Sequence, residues 1–439
     1  MGWHFSRHLA GRFFFCMIFG VISLSASPAI QGPAAASLDA RDSEISREAS
    51  SAAFLRITAV GDIMVHETQL KTHWDNDAKA YLFDDDFRYI KTFLASSDLL
   101  LGNMETTLGG TSQKYSGYPV FNTPDTLAEA LKRTGFDVLT TANNHCLDTN
   151  VAGLKRTVSL LQGLGFGVIG THATTSEARF LIREVNGIKV GLTGYTYQTA
   201  PKNGLPTLNG GLMPSAAVPL IDSFSSAYLE RDLASMTARA RLMRQSGAEL
   251  VVFFLHWGEE YGPRPTSQQW KMAHTLASAG VDLIFGSHPH VVQTAAFVPG
   301  VSQDRKTFVA FSLGNFLSNQ RYEFLKRHDT EDGLVVSVCV SRPETGQPCR
   351  IDKVEYLPIW VHRHQRDSRW RYHILPLPEA LQKTAEFGLD QTGNLIRAWN
   401  SLRRTQKVLQ GAPDWKEQPI PGGASEPPPA DDDKDGEDE

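Results

Sequence analysis

The chain has 439 residues, of which 41% are hydrophobic and 21% are charged, so it is long enough to bury a large core and to form one to three domains. The formal net charge of -5 arises largely at the C-terminal end, where residues 430–439 contain seven acidic residues and one lysine. No block of Lys and Arg marks a nucleic-acid-binding face, so the composition argues against a nucleic-acid partner.

The N-terminal 27 residues have the order of a signal peptide. Arg7 and Arg12 precede the apolar segment 13–24, and small residues follow it. The apolar segment is shorter than the roughly 20 residues that span a membrane, which favours export with cleavage over an N-terminal anchor. Cys16 follows bulky Phe residues, so a lipoprotein site is rejected. Residues 28–53 are rich in Ala and Ser and are predicted to be a linker.

Five apolar segments further along the chain each end in polar residues that can bind ligands. The polar residues are Asp62, then Asn103 and Glu105, then Asn143, Asn144, His145 and Asp148, then His256, and finally His288 and His290. Short apolar segments bounded by Gly or Pro are typical of parallel strands, and ligands bind outside the carboxyl ends of such strands. The five segments therefore predict one shared site, with no domain boundary between its first and last members.

Helical patterns alternate with these strands, at residues 87–94, 126–134, 152–164, 227–244 and 268–279. This alternation predicts βαβ units and a mostly parallel sheet. After residue 306, the segments 307–316, 333–340 and 350–358 are strand-like and are predicted to close the fold as antiparallel strands, followed by a helix over 378–402. We expect one domain over residues 54–410 and a disordered acidic tail over 411–439.

Carboxylate, amide and imidazole groups make up the predicted site, and this mixture suits Mn, Fe or Zn. The candidate metal ligands are Asp62, Glu105, Asn144, His256, His288 and His290. Two divalent ions held by these side chains would activate water and clamp a phosphoryl group, with Glu105 as the bridging carboxylate. Paired thiolates of the kind found in structural zinc sites are absent from the sequence.

His145 is the candidate general acid, and Asp148 is the residue expected to orient it. Cys146 beside it suggests a thiol nucleophile. Export to an oxidising compartment argues against a free catalytic thiol. His66 is either an outer ligand or a groove residue. The histidines without such neighbours are interpreted as structural or surface residues: His4, His8, His73, His172, His274, His328, His362 and His364.

Each candidate also has a structural explanation when it is taken alone. An Asp or Asn after a strand usually caps a turn, and a His beside Trp257 is usually a core residue. The coincidence of five such motifs favours a shared site. Cys339 and Cys349 flank a predicted turn, and a disulfide and two unpaired thiols both remain open because sequence separation does not fix strand register.

The ordered motifs resemble the bacterial capsule-synthesis CapA family, or poly-gamma-glutamate synthesis proteins, within the calcineurin-like metallophosphoesterase superfamily. The resemblance covers roughly residues 54–321 and rests on these motifs: Gly61-Asp62-Ile63-Met64, Gly102-Asn103-Met104-Glu105, Ala142-Asn143-Asn144-His145 with Asp148, His256-Trp257-Gly258-Glu259-Glu260-Tyr261, Gly286-Ser287-His288-Pro289-His290, and Ser312-Leu313-Gly314-Asn315-Phe316 with Gln320. It implies a metallophosphoesterase-like α/β/β/α sandwich of two mixed sheets flanked by helices.

The resemblance also implies a function for the chain. We expect an exported protein of the periplasm or cell envelope that takes part in the synthesis, export or anchoring of an anionic surface polymer such as poly-gamma-glutamate, in contact with membrane synthase subunits. The alternatives are an active metal-dependent phosphoesterase acting on an envelope phosphate ester, and a non-enzymatic polymer-binding scaffold. Standard phosphoesterases carry Asp-x-His and a bridging Asp where this chain has Asp62 with a distant His66 and Glu105, so metal occupancy and activity need a direct test.

Overall fold

Two β-sheets packed face to face organise the chain. The structure, a computed structural model, describes residues 52–302, 305–366, 369–389 and 391–416. The predicted signal peptide or anchor at 1–27 lies outside the described residues, as do the predicted linker up to residue 51 and the acidic tail from 417. Within the part of the chain that is described, no helix has both the length and the apolar character needed to cross a membrane.

The strands and helices follow one another along the chain. The strands are β1 (Ala53–Ile63), β2 (Trp74–Asp75), β3 (Ala80–Tyr81), β4 (Leu99–Met104), β5 (Val138–Thr140), β6 (Gly167–Ile169), β7 (Leu181–Val185), β8 (Ile188–Gln198), β9 (Thr207–Leu208), β10 (Gly211–Leu212), β11 (Ser223–Ser225), β12 (Leu250–His256), β13 (Leu283–Ser287), β14 (Ala295–Pro299), β15 (Lys306–Ala310), β16 (Asn315–Leu317), β17 (Asp332–Arg342), β18 (Arg350–Arg366) and β19 (Arg369–Pro376). The α-helices are α1 (Glu67–His73), α2 (Lys91–Leu94), α3 (Thr126–Thr134), α4 (Asn150–Gly163), α5 (Leu229–Gln245), α6 (Ser267–Ser278), α7 (Tyr322–Leu325), α8 (Leu377–Gln382) and α9 (Thr392–Leu409).

The first sheet has the strand order β19-β18-β17-β1-β4-β5-β6, and β16 also pairs with β1. Strand β1 lies at the junction of two halves of this sheet. It runs parallel to β4 and antiparallel to β17, so the half containing β5 and β6 is parallel and the half containing β18 and β19 is antiparallel. The carboxyl ends of β1, β4 and β5 therefore meet at one edge.

The second sheet has the order β11-β8-β12-β13-β15-β14, with β7 paired to β8. Strands β11, β8, β12, β13 and β15 are parallel, and β7 and β14 are antiparallel to their neighbours. Strand β12 is buried along its whole length, as expected for a central parallel strand. The prediction that segment 307–316 forms antiparallel closing strands was thus wrong in part, because β15 joins β13 in parallel.

Apolar side chains fill three layers. Between the sheets, Ile57 and Leu101 of the first sheet pack with Val252 and Phe285 of the second. Helix α3 covers the outer face of the first sheet, and α5 and α6 cover that of the second. The predicted α/β/β/α sandwich of two mixed sheets is therefore confirmed.

Most of the predicted helices are present, but the last one is divided. Helices α8 and α9 replace the single helix predicted over 378–402. The chain turns between them at Gly388, whose positive φ of 70° a continuous right-handed helix does not allow. The chain also stays packed beyond residue 410, since Ala412 is buried and Asp414 accepts a hydrogen bond from the backbone of Val354.

Cys339 and Cys349 are both free thiols in the structure. The pairing of β17 with β18 places Cys339 opposite Lys353 and not opposite the second cysteine. Of the two alternatives that the sequence left open, the structure shows the unpaired thiols.

Candidate metal centre

The five strand-end motifs meet at one edge of the sandwich. Asp62 ends β1, Glu105 follows β4 and Asn144 follows β5 in the first sheet, whereas His256 ends β12 and His288 and His290 follow β13 in the second. All six side chains are buried, and Asp62 and Glu105 are completely inaccessible. The structure thus brings together every residue that the sequence predicted as a metal ligand.

Two buried carboxylates form the centre of the site. Asn103 donates from Nδ2 to Asp62 Oδ1 at 2.7 Å and to Glu105 Oε2 at 3.1 Å. Like charges held so close without water repel strongly. One amide that donates to both carboxylates partly offsets this repulsion and fixes their relative position.

His256 brings the second sheet to these carboxylates. Its Nε2 lies 2.7 Å from Asn144 Oδ1 and 3.4 Å from Glu105 Oε1, and its Nδ1 lies 2.9 Å from the hydroxyl of Ser287. Ser287 therefore sets the orientation of the ring, and the amide oxygen, the carboxylate and the imidazole nitrogen face the same point.

His288 and His290 have unusual backbone conformations, with φ values of 97° and 57°. Non-glycine residues at positive φ are strained and cluster at functional sites. His290 Nδ1 lies 3.0 Å from Asp62 Oδ2 and 3.2 Å from Asn315 Oδ1, and its Nε2 lies 3.7 Å from Glu105 Oε1. The strained turn places both imidazoles beside the carboxylates.

The distances between the ligand atoms are also short enough for one divalent ion to bind to several of them. Two groups of three residues each bring their ligand atoms within 4.8 Å of one another: Glu105, His288 and His290, and Asp62, Glu105 and His256. Glu105 belongs to both groups. Its Oε1 and the Nδ1 of His288 are buried without a hydrogen-bond partner among the described residues, which is costly unless another group satisfies them.

The protonation states follow from burial. Burial raises the pKa of Glu105 well above its usual value, and the charge of Asp62 raises it further. Burial also lowers the pKa values of His256 and His288 well below the usual value, with the other histidines adding to the effect. Neutral imidazole is the form that binds metal, and bound cations favour ionisation of a carboxyl group.

His145 lies beside the six candidates without joining either group of ligands. Its Nδ1 is 2.8 Å from Asp148 Oδ2, which also accepts a hydrogen bond of 2.6 Å from the backbone N–H of Phe121. With Nδ1 engaged by Asp148, the ring has a fixed orientation and Nε2 is left for another partner. The two residues are in contact, and their roles as general acid and orienting residue stay a prediction.

Two glycines allow the strand ends to come together. A Cβ at Gly61 would lie 1.9 Å from the carbonyl oxygen of Gly314, and one at Gly286 would lie 2.0 Å from that of Phe311. Any other residue at these positions would push neighbouring strands apart. The glycines that precede the ligands are therefore required by close backbone approach.

A groove of about 340 Å³ lies next to the site, and its lining includes His66, Tyr118, Tyr261, Gln320 and Phe324. Gln320 connects it to the centre, because it contacts the hydroxyl of Tyr261 at 3.3 Å and accepts a hydrogen bond of 3.0 Å from Asn315. His66 is a groove residue, and its Nδ1 accepts a hydrogen bond from the backbone N–H of Asn319 at 3.2 Å. Burial lowers its pKa to about 3.

Sequence reasoning missed several contributors to the site. Ser287 and Asn315 orient His256 and His290 by hydrogen bonds, and Tyr197 packs its ring 4.5 Å from that of His288. Their only sequence signal is a position next to a strand end, which is also typical of turn caps.

Comparison with known proteins agrees with this geometry. The chain is 28% identical over 272 residues to "Capsule biosynthesis protein CapA" of Bacillus anthracis, which covers 61% of this chain and 60% of that protein. It is 27% identical over 312 residues to "PGA biosynthesis protein CapA" of Bacillus subtilis, covering 70% of this chain and 72% of that protein. The chain thus spans less than two thirds of the length of the first relative.

Solved structures that align with the chain include a phosphoesterase and a phosphatase. A calcineurin-like phosphoesterase from Bacillus subtilis aligns with a TM-score of 0.39 and 13% identity over 77% of this chain and 99% of that one. A phosphatase from Mycoplasma pneumoniae aligns with a TM-score of 0.37 and 15% identity over 70% of this chain and 94% of that one.

The matched region coincides with the segment that carries the site. The model of the family described as "Bacterial capsule synthesis protein PGA_cap" matches residues 56–320, which is more than half of the chain and contains all six candidate ligands as well as His145 and Asp148. The resemblance seen in the ordered motifs is thereby confirmed, and the chain belongs to the bacterial capsule synthesis family PGA_cap.

Proposed function

We propose that this protein is an exported accessory protein for the synthesis, export or anchoring of an anionic capsular polymer such as poly-gamma-glutamate, and that its strand-end site binds two divalent metal ions. Support for the polymer comes from the family and from the names of its relatives, which refer to capsule and PGA biosynthesis. The periplasm or cell envelope is the proposed location, and membrane synthase subunits are the proposed partners. The N-terminal signal segment is the reason for proposing export.

The observation that carries the metal proposal is the pair of buried, unpartnered ligand atoms, Glu105 Oε1 and His288 Nδ1. Asp62, Glu105, Asn144, His256, His288 and His290 would hold the ions, which are Mn, Fe or Zn by the chemistry of the donors. When bound, such ions polarise a phosphoryl oxygen and lower the pKa of water. Asn103 holds the two carboxylates in place, and Ser287 and Asn315 orient the imidazoles.

Elemental analysis by plasma mass spectrometry tests this proposal. The full chain, purified without an oligohistidine tag, should contain about two equivalents of metal. The His288→Ala, His290→Ala double variant should lose it, and the exposed His274→Ala control should keep it. Absence of metal after incubation with Mn, Fe and Zn would remove the metal centre and leave a polymer-binding scaffold as the better account.

An active phosphoesterase is the second candidate function, and the pairing of His145 with Asp148 favours it. A general acid is needed where a poor leaving group must be protonated, and a scaffold has no use for one. Turnover of an aryl phosphate, lost in His288→Ala, would establish the activity. A metal-loaded protein with no turnover of aryl or alkyl phosphates would exclude it.

A further inference from the structure

The hairpin of β18 and β19 carries cationic and imidazole side chains in register. Three cross-strand pairs form what we call the cationic ladder: Arg366 with Arg369, His364 with Arg371, and His362 with His373. Residues two apart on a strand share a face, so all six side chains project from one side of the hairpin. The ring centroids of His362 and His364 lie 4.7 Å apart, and those of His364 and His373 lie 5.0 Å apart, as this register requires.

Such a ladder is unfavourable by itself. Like charges placed directly opposite each other on neighbouring strands destabilise a sheet. Arg366, Arg369 and Arg371 form no hydrogen bond or ion pair with any described residue. Of the acids nearby, Asp85 pairs with Arg88 at 2.6 Å and contacts His373 at 3.2 Å, and Asp86 pairs with His73 at 2.8 Å. Asp75 accepts hydrogen bonds from the backbone N–H groups of the turn that follows it. The three guanidinium groups therefore have no carboxylate in direct contact among the described residues, and only the longer-range attraction of Asp75 and Asp85 offsets the charge of Arg369 and Arg371.

The imidazoles of the ladder are also unsatisfied. His362 is fully buried, and neither of its ring nitrogens has a hydrogen-bond partner among the described residues. The Nδ1 atoms of His364 and His373 are likewise unpartnered. These ring nitrogens are buried, and of the three imidazoles only His373 lines the cavity described below, so the arginines are the part of the ladder that a ligand can reach.

A cavity of about 350 Å³ lies along the edge strand β19. Its lining contains four arginines and three aspartates: Arg88, Arg366, Arg369, Arg371, Asp75, Asp85 and Asp86. This volume is within the usual range for ligand pockets and is far larger than a single phosphate ion needs. None of the candidate metal ligands lines it. The cavity and the groove at the metal centre have adjacent walls, because Tyr372 in the lining of the cavity donates to Oδ1 of Asn319, which lines the groove, at 2.7 Å.

We infer that the cationic ladder is a second ligand site, separate from the metal centre, that binds a segment of a linear polyanion carrying repeated carboxylates. Successive pairs along the hairpin are spaced by about 7 Å, so a chain with regularly repeated anionic groups can meet several of them at once. Arginine forms bidentate hydrogen bonds with carboxylates, which suits this ligand. The inference rests on the proposed function only for the choice of polymer, and it would place the polymer beside the metal centre.

Calorimetric titration with poly-gamma-glutamate tests the inference. The variant Arg366→Gln, Arg369→Gln, Arg371→Gln should bind the polymer at least about tenfold more weakly than the wild type, because charge-assisted hydrogen bonds are lost. The matched control Lys155→Gln, Arg241→Gln, Lys306→Gln removes the same number of exposed positive charges elsewhere and should bind like the wild type. The double variant Arg366→Gln, Arg369→Gln, in which both residues are exposed, keeps the test valid if the triple variant unfolds.

Two further ligands, a glutamate dimer and inorganic phosphate, test which chemical class of ligand the ladder binds. Glutamate dimers should bind far more weakly than polymers long enough to meet all three arginines. Inorganic phosphate at equal charge should not displace the polymer. Equal binding by the triple variant and the wild type would overturn the inference, as would displacement of the polymer by phosphate. The triple variant could instead lose binding to phosphatidylglycerol vesicles and keep its binding to the polymer. This result would assign the ladder to a lipid surface and would also overturn the inference.

Metal content measured on the same samples separates this inference from the proposed metal centre. Wild-type protein that contains metal but binds no polymer would refute the ladder and leave the metal centre intact. Metal-free protein whose polymer binding depends on the three arginines would refute the metal centre and support the ladder. The His288→Ala variant should keep its polymer affinity, since His288 lies outside the ladder cavity.

Discussion

Nδ1 of His290 lies 3.0 Å from Oδ2 of Asp62, although 228 residues separate the two in the sequence. Asp62 ends the central strand of one sheet, and His290 follows a strand of the other. The contact therefore crosses the interface between the two layers. Changes that disturb either layer should therefore alter the geometry of the site.

Asn103→Asp should destabilise the metal-free protein. The substitution replaces an amide that donates to Asp62 and Glu105 with a third buried carboxylate, at an expected cost of about 3 kcal/mol in the free energy of unfolding. Urea denaturation with a chelator present measures this loss. Excess divalent metal should recover part of it, because cations compensate the added charge.

The control for that variant is Asn76→Asp, the same chemical change at an exposed position. Its free energy of unfolding should stay within about 0.5 kcal/mol of the wild type. An Asn103→Asp protein that is as stable as this control would show that the two carboxylates do not depend on the amide.

Gly61→Ala should destabilise the fold and weaken metal binding together. The new Cβ would meet the carbonyl oxygen of Gly314, so β1 or the segment before β16 must move. We expect a loss of about 3 kcal/mol and a lower metal content. Thermal unfolding and elemental analysis of the same preparation test both effects.

Replacing a glycine that has open space around it should stabilise the protein, in contrast to Gly61→Ala. No atom lies within 4 Å of a Cβ built at Gly163, in the last position of α4. Gly163→Ala should therefore stabilise the protein by about 0.5 kcal/mol, since alanine is the better helix former. If both variants lose stability equally, close approach is not the reason for Gly61.

Glu331→Gln should remove a pH-dependent contribution to stability. Burial by itself would raise the pKa of Glu331, but Arg321, His328 and Arg397 outweigh it and lower the pKa to about 2. A carboxyl whose folded pKa lies below its unfolded value of about 4.5 stabilises the protein above pH 4.5, and this stabilisation is lost as the pH falls toward 2.

The variant should be less stable than the wild type by about 3 kcal/mol at neutral pH, because Arg321 is left buried with its charge uncompensated. Burial also lowers the pKa of Arg321, whereas the charge of Glu331 acts in the opposite direction. The attraction between the two groups therefore partly offsets the cost of burying the guanidinium. The difference between variant and wild type should shrink below pH 4.5. A difference that stays constant down to pH 2 would contradict the assigned role of Glu331.

If the protein is a phosphoesterase, His145→Ala should slow the hydrolysis of an alkyl phosphate by about 10²- to 10⁴-fold. The effect on 4-nitrophenyl phosphate should be much smaller, since nitrophenolate leaves without a proton. Metal content should not change, because His145 is not among the candidate ligands. Equal losses of kcat on the two substrates would show that His145 does not act as the general acid.

The position of the site was predictable because polar residues that end buried strands are visible in the sequence, and parallel strands present their carboxyl ends at one edge. Asp62, Glu105 and His256 could be recognised in this way. The sequence placed Asn103 at the site, but its role as a donor to both carboxylates, and the contact of Asn315 with His290, depend on neighbours in the fold and could not be predicted.

Pairing between distant strands was the least predictable feature. Nothing local in residues 306–310 specifies a parallel partner, so β15 was wrongly expected to be antiparallel. The cationic ladder was missed for the same reason. His362 and His364 looked like isolated histidines until the register of β18 with β19 placed His373 and Arg371 opposite them.

The candidate ligands are divided between the two layers, with Asp62, Glu105 and Asn144 on one side and His256, His288 and His290 on the other. The apolar contacts between the sheets have no preferred direction and permit small sliding movements. Coordination bonds are directional, so ions held from both sides would fix the lateral alignment of the sheets. Removing the ions should then accelerate amide hydrogen exchange along β1 and β13, well beyond the residues that touch them.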